Sequence, residues 1–90
     1  MKFDFNTEKN EILKKERNIS FEQIIESIAV NGVLLDFPHP NIEQYPDQRI
    51  FVVEFNNYTY CIPYVRNKNI IFLKTIFPSR KFMSLIKEKN

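Results

Sequence analysis

Ninety residues with a net charge of +2, 43% hydrophobic and 27% charged, describe a chain that folds as a single domain over residues 1–90, with enough apolar weight for a packed core and none of the composition of a disordered segment. A lone glycine, Gly32, excludes glycine-rich phosphate loops and dinucleotide fingerprints, and a lone cysteine, Cys61, excludes an intramolecular disulfide or a cysteine metal centre. No run approaches the roughly 20 apolar residues of a membrane span, and Asp4 stands where a signal peptide is apolar, so a soluble cytoplasmic protein is expected.

Lys2-Phe3-Asp4-Phe5 alternates and reads as a short strand. Asn6 or Thr7 caps a helix running to about Arg17. Its apolar content is only Ile12 and Leu13, so it lies on the surface, laced with the pairs Glu11–Lys14 and Glu11–Lys15. Asn18 is a left-handed C-cap. Ser20 caps a second helix, Gln23 completes its capping box, and Ile19 and Ile24 form a hydrophobic staple. This helix buries Phe21, Ile24, Ile25 and Ile28 and stops at Asn31-Gly32.

Residues 33–37 form the next strand, broken by Pro38-His39-Pro40-Asn41. An exposed loop with a turn at Pro46-Asp47 leads to Arg49. Strands 50–55 and 58–65 pair about Asn56-Asn57, a two-residue loop tolerant of positive φ. A turn over 66–69 opens the third strand of this meander, 70–77. Pro63 removes a ladder donor from the middle strand, so a bulge is expected there. Ser79 caps a final helix from Arg80 to about Lys87. The order β-α-α-β-β-β-β-α predicts an α+β fold, an antiparallel sheet packed against two N-terminal helices.

Charge is distributed unevenly along these elements. Residues 1–45 hold five Lys/Arg against eight Asp/Glu, and residues 46–90 hold eight against three. The halves therefore carry −3 and +5, which turns the C-terminal half toward a polyanion. Lys74 interrupts an otherwise apolar strand, where lysine is costly to bury, so it faces water or an anion. Alternation places it with Ile70, Phe72 and Ile76. Arg80 and Lys81 open the last helix, at the positive end of its dipole, and a phosphate there offsets the unfavourable placement. A plain solvated surface has the same residues.

Metal-free RNA cleavage, the activity that the family resemblance described next implies, activates the 2′-hydroxyl, stabilises the pentacoordinate phosphate and protonates the leaving oxygen. Lys74, Arg80 and Lys81 are the candidates for that work, Arg80 as a bidentate phosphate ligand. Arg49 and Tyr64 are candidate substrate contacts. Tyr58, Tyr60 and Tyr64 share a strand face, more in keeping with a core than with a base-stacking platform. His39, the only histidine, reads as an exposed turn residue before a general base. Cys61 reads as a small core residue. No cofactor and no metal are expected.

Phe3-Asp4-Phe5-Asn6 with Lys9, Ile19-Ser20-Phe21-Glu22, the meander from Arg49 to Phe77, and Pro78-Ser79-Arg80-Lys81 together resemble the BrnT family of bacterial toxins, within the RelE-like ribonuclease superfamily. The likeness spans nearly the whole chain in order. Asn18 stands where the family usually has glycine, and Arg17 where histidine is frequent. The resemblance implies a small toxin of a type II toxin–antitoxin system that cleaves RNA and halts translation. It also implies a partner antitoxin, typically a ribbon-helix-helix DNA-binding protein, and makes Lys9 a further candidate substrate contact. The competing expectation is a non-catalytic RNA- or protein-binding module of the same fold. Convergence of Lys74, Arg80 and Lys81 on one concave patch favours the enzyme, and divergence favours the module.

Overall fold

The computed structural model describes residues 2–88, with side chains through residue 86. Its elements are β1 (Lys2–Phe5), α1 (Thr7–Arg17), α2 (Phe21–Asn31), β2 (Leu35–Pro38), β3 (Gln48–Phe55), β4 (Tyr58–Asn67), β5 (Ile70–Leu73), β6 (Phe77–Pro78), a 3₁₀ turn at Arg80–Phe82, and α3 (Met83–Glu88). The fold is α+β. Strands lie in the order β1-β5-β4-β3-β2, with β6 also on β4.

The meander from β2 to β6 is antiparallel, as its hairpin turn requires: Asn56 and Asn57 both take positive φ. The expectation of an antiparallel sheet throughout is nonetheless corrected. β1 pairs with β5 in parallel, Phe3 beside Ile71 and Phe5 beside Leu73, so the sheet is mixed. Two helices and the rest of the meander separate these strands, which supplies the long connection that a parallel pair needs.

The predicted third strand of the meander is divided. Tyr64 faces Leu73 and Cys61 faces Phe77, so the two β4 residues Ile62 and Pro63 oppose the three residues Lys74, Thr75 and Ile76. The bulge falls at Pro63, but its extra residue lies on the partner strand. Lys74 donates its N–H to the Pro63 carbonyl at 2.8 Å. Pro63 has no N–H to return, and the ladder lets go there. Past the bulge the alternation shifts by one. Ile71, Leu73 and Ile76 are all buried, so Ile76 does not share a face with Lys74 as strict alternation predicts.

Helix boundaries follow the caps. Asn6 accepts from the Lys9 N–H, and Ser20 and Gln23 form the full capping box. Asn18 ends α1 at φ 54°, the left-handed conformation that asparagine tolerates best after glycine. The buried stripe of α1 is Leu13 with Asn10, whereas Ile12 is 46% exposed. Asn10 replaces Ile12 because its amide does structural work: Oδ1 accepts from the Phe21 N–H at 2.8 Å, and Nδ2 donates to Glu22 Oε1 at 2.7 Å. One buried side chain thus joins α1 to the first turn of α2.

Leu13, Ile19, Phe21 and Ile24 pack with Phe51, Val53, Ile62, Tyr64, Ile71 and Leu73 on one face of the sheet. The other face carries Ile50, Val52 and Cys61, covered in part by Phe37, Leu34 and Phe82. The C-terminal segment therefore lies on the side opposite α1 and α2. Among the described residues no helix is long and apolar enough to cross a membrane.

Candidate nucleic-acid interface

The strand-to-helix corner is built differently from the expectation. Ser79 makes no side-chain cap, and Arg80 and Lys81 lie in a 3₁₀ turn ahead of α3, not in its first α-turn. The corner is held instead by Thr59, which is fully buried in β4. Its hydroxyl donates to the Ser79 carbonyl, and its own carbonyl accepts from the Ser79 N–H at 2.9 Å. Arg80 and Lys81 emerge exposed from this pinned turn, with the Lys81 ammonium 5.7 Å from the centre of the Phe82 ring.

Lys74 is exposed at the bulge. Its ammonium leans over Phe72, 5.5 Å from the ring centre. Phe72 alternates with buried Ile71 and Leu73, so it lies on the sheet face that Phe82 also occupies. The hollow beside Lys74 is lined by Asn6, Glu8, Lys9, Ile12 and Phe72, without Arg80 or Lys81. The structure thus brings Lys74 to Lys9, while Arg80 and Lys81 form a separate pair. Arg17, at the C-terminal end of α1, donates a guanidinium N–H to the Ile76 carbonyl next to the bulge.

Arg49 and Tyr64 meet at a third place, on the α1–α2 face. Sequence reasoning missed the residue that joins them, Asp36 on β2. The Tyr64 hydroxyl donates to both carboxylate oxygens, at 2.8 and 2.9 Å. Arg49 Nε donates to Oδ1 at 3.0 Å and Nη2 to the Asp36 carbonyl at 3.2 Å. Tyr64 stacks on Phe51 with ring centres 3.9 Å apart. Burial, then the hydrogen bond to Asp36, pushes the Tyr64 phenol above its ordinary value, so it stays a proton donor at neutral pH. The same carboxylate raises the Arg49 guanidinium. An acid in the middle of an otherwise apolar strand was the available signal for Asp36, since such a group seeks a cation across the ladder.

Beside this cluster a cleft of about 240 Å³ opens between α2 and the sheet. Phe3, Ile28, Val33, Phe51 and Ile71 form its apolar wall. Asp36, Tyr64 and Arg66 supply its polar rim. Arg66, also absent from the sequence-based candidates, spends only Nε, on the Lys68 carbonyl at 3.3 Å.

Two ion pairs form among the described residues, Lys14–Glu11 and Arg49–Asp36. Lys9, Arg66, Lys74, Arg80 and Lys81 have no described carboxylate within salt-bridge distance. His39 sits in the loop as a turn residue: its Nδ1 accepts from the Asn41 N–H at 3.0 Å and its ring lies on Tyr45. Burial pushes the Cys61 thiol up, away from nucleophile chemistry. Among the described residues no three His, Cys, Asp or Glu side chains gather in a metal-binding group. The chain matches no family model, and neither a curated protein nor a solved structure matches it.

Proposed function

We propose that this protein is the toxin of a type II toxin–antitoxin pair, a BrnT-like ribonuclease that cleaves RNA without a metal and stops translation. The observation that carries this reading is the set of exposed cations in the C-terminal half that have no carboxylate partner among the described residues, two of them on the corner that Thr59 pins. In the reaction, Arg80 grips the scissile phosphate through two guanidinium N–H groups, the 2′-oxygen loses its proton to water and attacks phosphorus, and the departing 5′-oxygen takes a proton from the Lys81 ammonium. Lys74, in its own hollow beside Lys9, holds a flanking phosphate. Lys9 and Arg49 steer the backbone, and Tyr64 contacts a base. A cytoplasmic antitoxin, of the ribbon-helix-helix kind and bearing carboxylates, masks the cationic surface at rest.

Induced expression should arrest growth, and the product of the adjacent reading frame should relieve the arrest and co-purify with the chain. Growth unaffected by a well-folded, well-expressed chain contradicts the reading. One observation favours the alternative of a non-catalytic RNA-binding module: Lys74 shares its hollow with Lys9, not with Arg80 and Lys81. A module of that kind shifts RNA in a gel and leaves it intact.

A further inference from the structure

We propose that the cleft between α2 and the sheet holds one unstacked nucleobase of single-stranded RNA, with the adjoining phosphate on Arg66. The inference rests on the RNA reading above and adds to it a place for one base. At about 240 Å³, the cleft is smaller than the roughly 300–1,000 Å³ of whole-ligand sites. It suits one ring system. Its wall is apolar and partly aromatic, as an unstacked base requires. Its charge complements a nucleotide. Asp36, the one carboxylate among the described residues of the rim, is already paired with the Arg49 guanidinium and accepts a hydrogen bond from Tyr64. Among the described residues nothing takes the four N–H donors of the Arg66 terminal nitrogens or those of Arg49 Nη1.

The rim also selects among bases. Asp36 lines the cleft, and its Oδ2 accepts from the Tyr64 hydroxyl alone and keeps lone-pair capacity. An exocyclic amino group, present on guanine, adenine and cytosine, donates to it. Uracil has only its ring N3–H to donate, flanked on both sides by carbonyl oxygens that the carboxylate repels, so it binds less well there.

The test is NMR titration of the labelled protein with each of the four nucleoside 5′-monophosphates and with ribose 5-phosphate. The amino-bearing nucleotides should shift the Ile28, Val33 and Ile71 methyl signals, with uridine monophosphate the weakest of the four. Arg66→Ala should weaken binding about fivefold. Val33→Trp, placed at a partly exposed position on the cleft wall, should abolish the shifts while the amide spectrum stays folded. Unmoved methyl signals overturn the cleft proposal even if the chain cleaves RNA. Shifts of equal size with ribose 5-phosphate, or with uridine monophosphate, overturn the base assignment. Cleft occupancy in a chain that does not cleave RNA sustains this inference and removes the ribonuclease reading instead.

Discussion

Asn10 shows how one polar side chain decides the join between two helices. The Phe21 N–H opens α2 and has no partner within its own helix. Asn10 Oδ1 supplies one in a buried setting. Asn10→Ala leaves that N–H unpaired, and a loss of about 2 kcal/mol is expected, read by urea unfolding. The same contact sets a pH dependence. The Asn10 hydrogen bond holds the Glu22 carboxyl below its ordinary 4.5. A carboxyl depressed in the folded state stabilises the fold above its unfolded pKa, and that contribution disappears as pH falls through the folded value. Wild type should therefore lose more stability than Asn10→Ala between about pH 6 and about pH 3. Parallel melting curves of the two proteins across that range would contradict the assignment. None of this was legible in the sequence, because an asparagine mid-helix carries no sign of whether its amide faces water or a neighbouring helix.

At the scale of elements, local chemistry was legible and long-range pairing was not. The capping box at Ser20, the left-handed Asn18, the Asn56-Asn57 hairpin and the stop at Gly32 all lie where their residue types place them. Each depends on neighbours within a few positions. The parallel β1–β5 pair depends on residues some seventy positions apart, beyond the reach of any local pattern. Pro63 announced a disturbance, but which strand would absorb it depends on the partner. Of the candidate site residues, Arg49 and Tyr64 come together through cross-strand register, and that register also brought in Asp36. The corner ahead of α3 gives the element-scale prediction. Thr59→Val keeps the shape of a fully buried residue and removes its hydroxyl from the Ser79 carbonyl. Stability should fall by about 1–2 kcal/mol. RNA cleavage should fall beyond what the loss of folded protein accounts for, because the turn carrying Arg80 and Lys81 is no longer pinned. Unchanged cleavage per folded molecule would detach the corner from the activity.

On the whole molecule, the acidic N-terminal half lies beside the cations of the C-terminal half at two places, Lys74 against the start of α1 and Arg49 against Asp36. Charge asymmetry was visible from counting residues, whereas the division of those cations among three places required the fold. RNA affinity should fall with added salt. For single strands the logarithmic slope is about −0.7 per neutralised phosphate, so contacts from Lys74, Arg80 and Lys81 contribute a slope of about −2, which Lys9, Arg49 and Arg66 steepen further. Filter binding across a salt series reads it, and a flat response would exclude phosphate contact by these residues. The most direct test of the central claim is cleavage of RNA by purified protein in the presence of a metal chelator, comparing wild type, Arg80→Ala and Arg80→Lys. Arg80 is exposed, so its loss should change stability by no more than about 0.5 kcal/mol, checked by thermal melting. Loss of its contact to the transition-state phosphate should slow cleavage about a hundredfold, and lysine, lacking the planar fork, should restore only part of it. Wild-type cleavage by a fully folded Arg80→Ala protein would contradict the account and move the phosphate contact to Lys74 or Lys81.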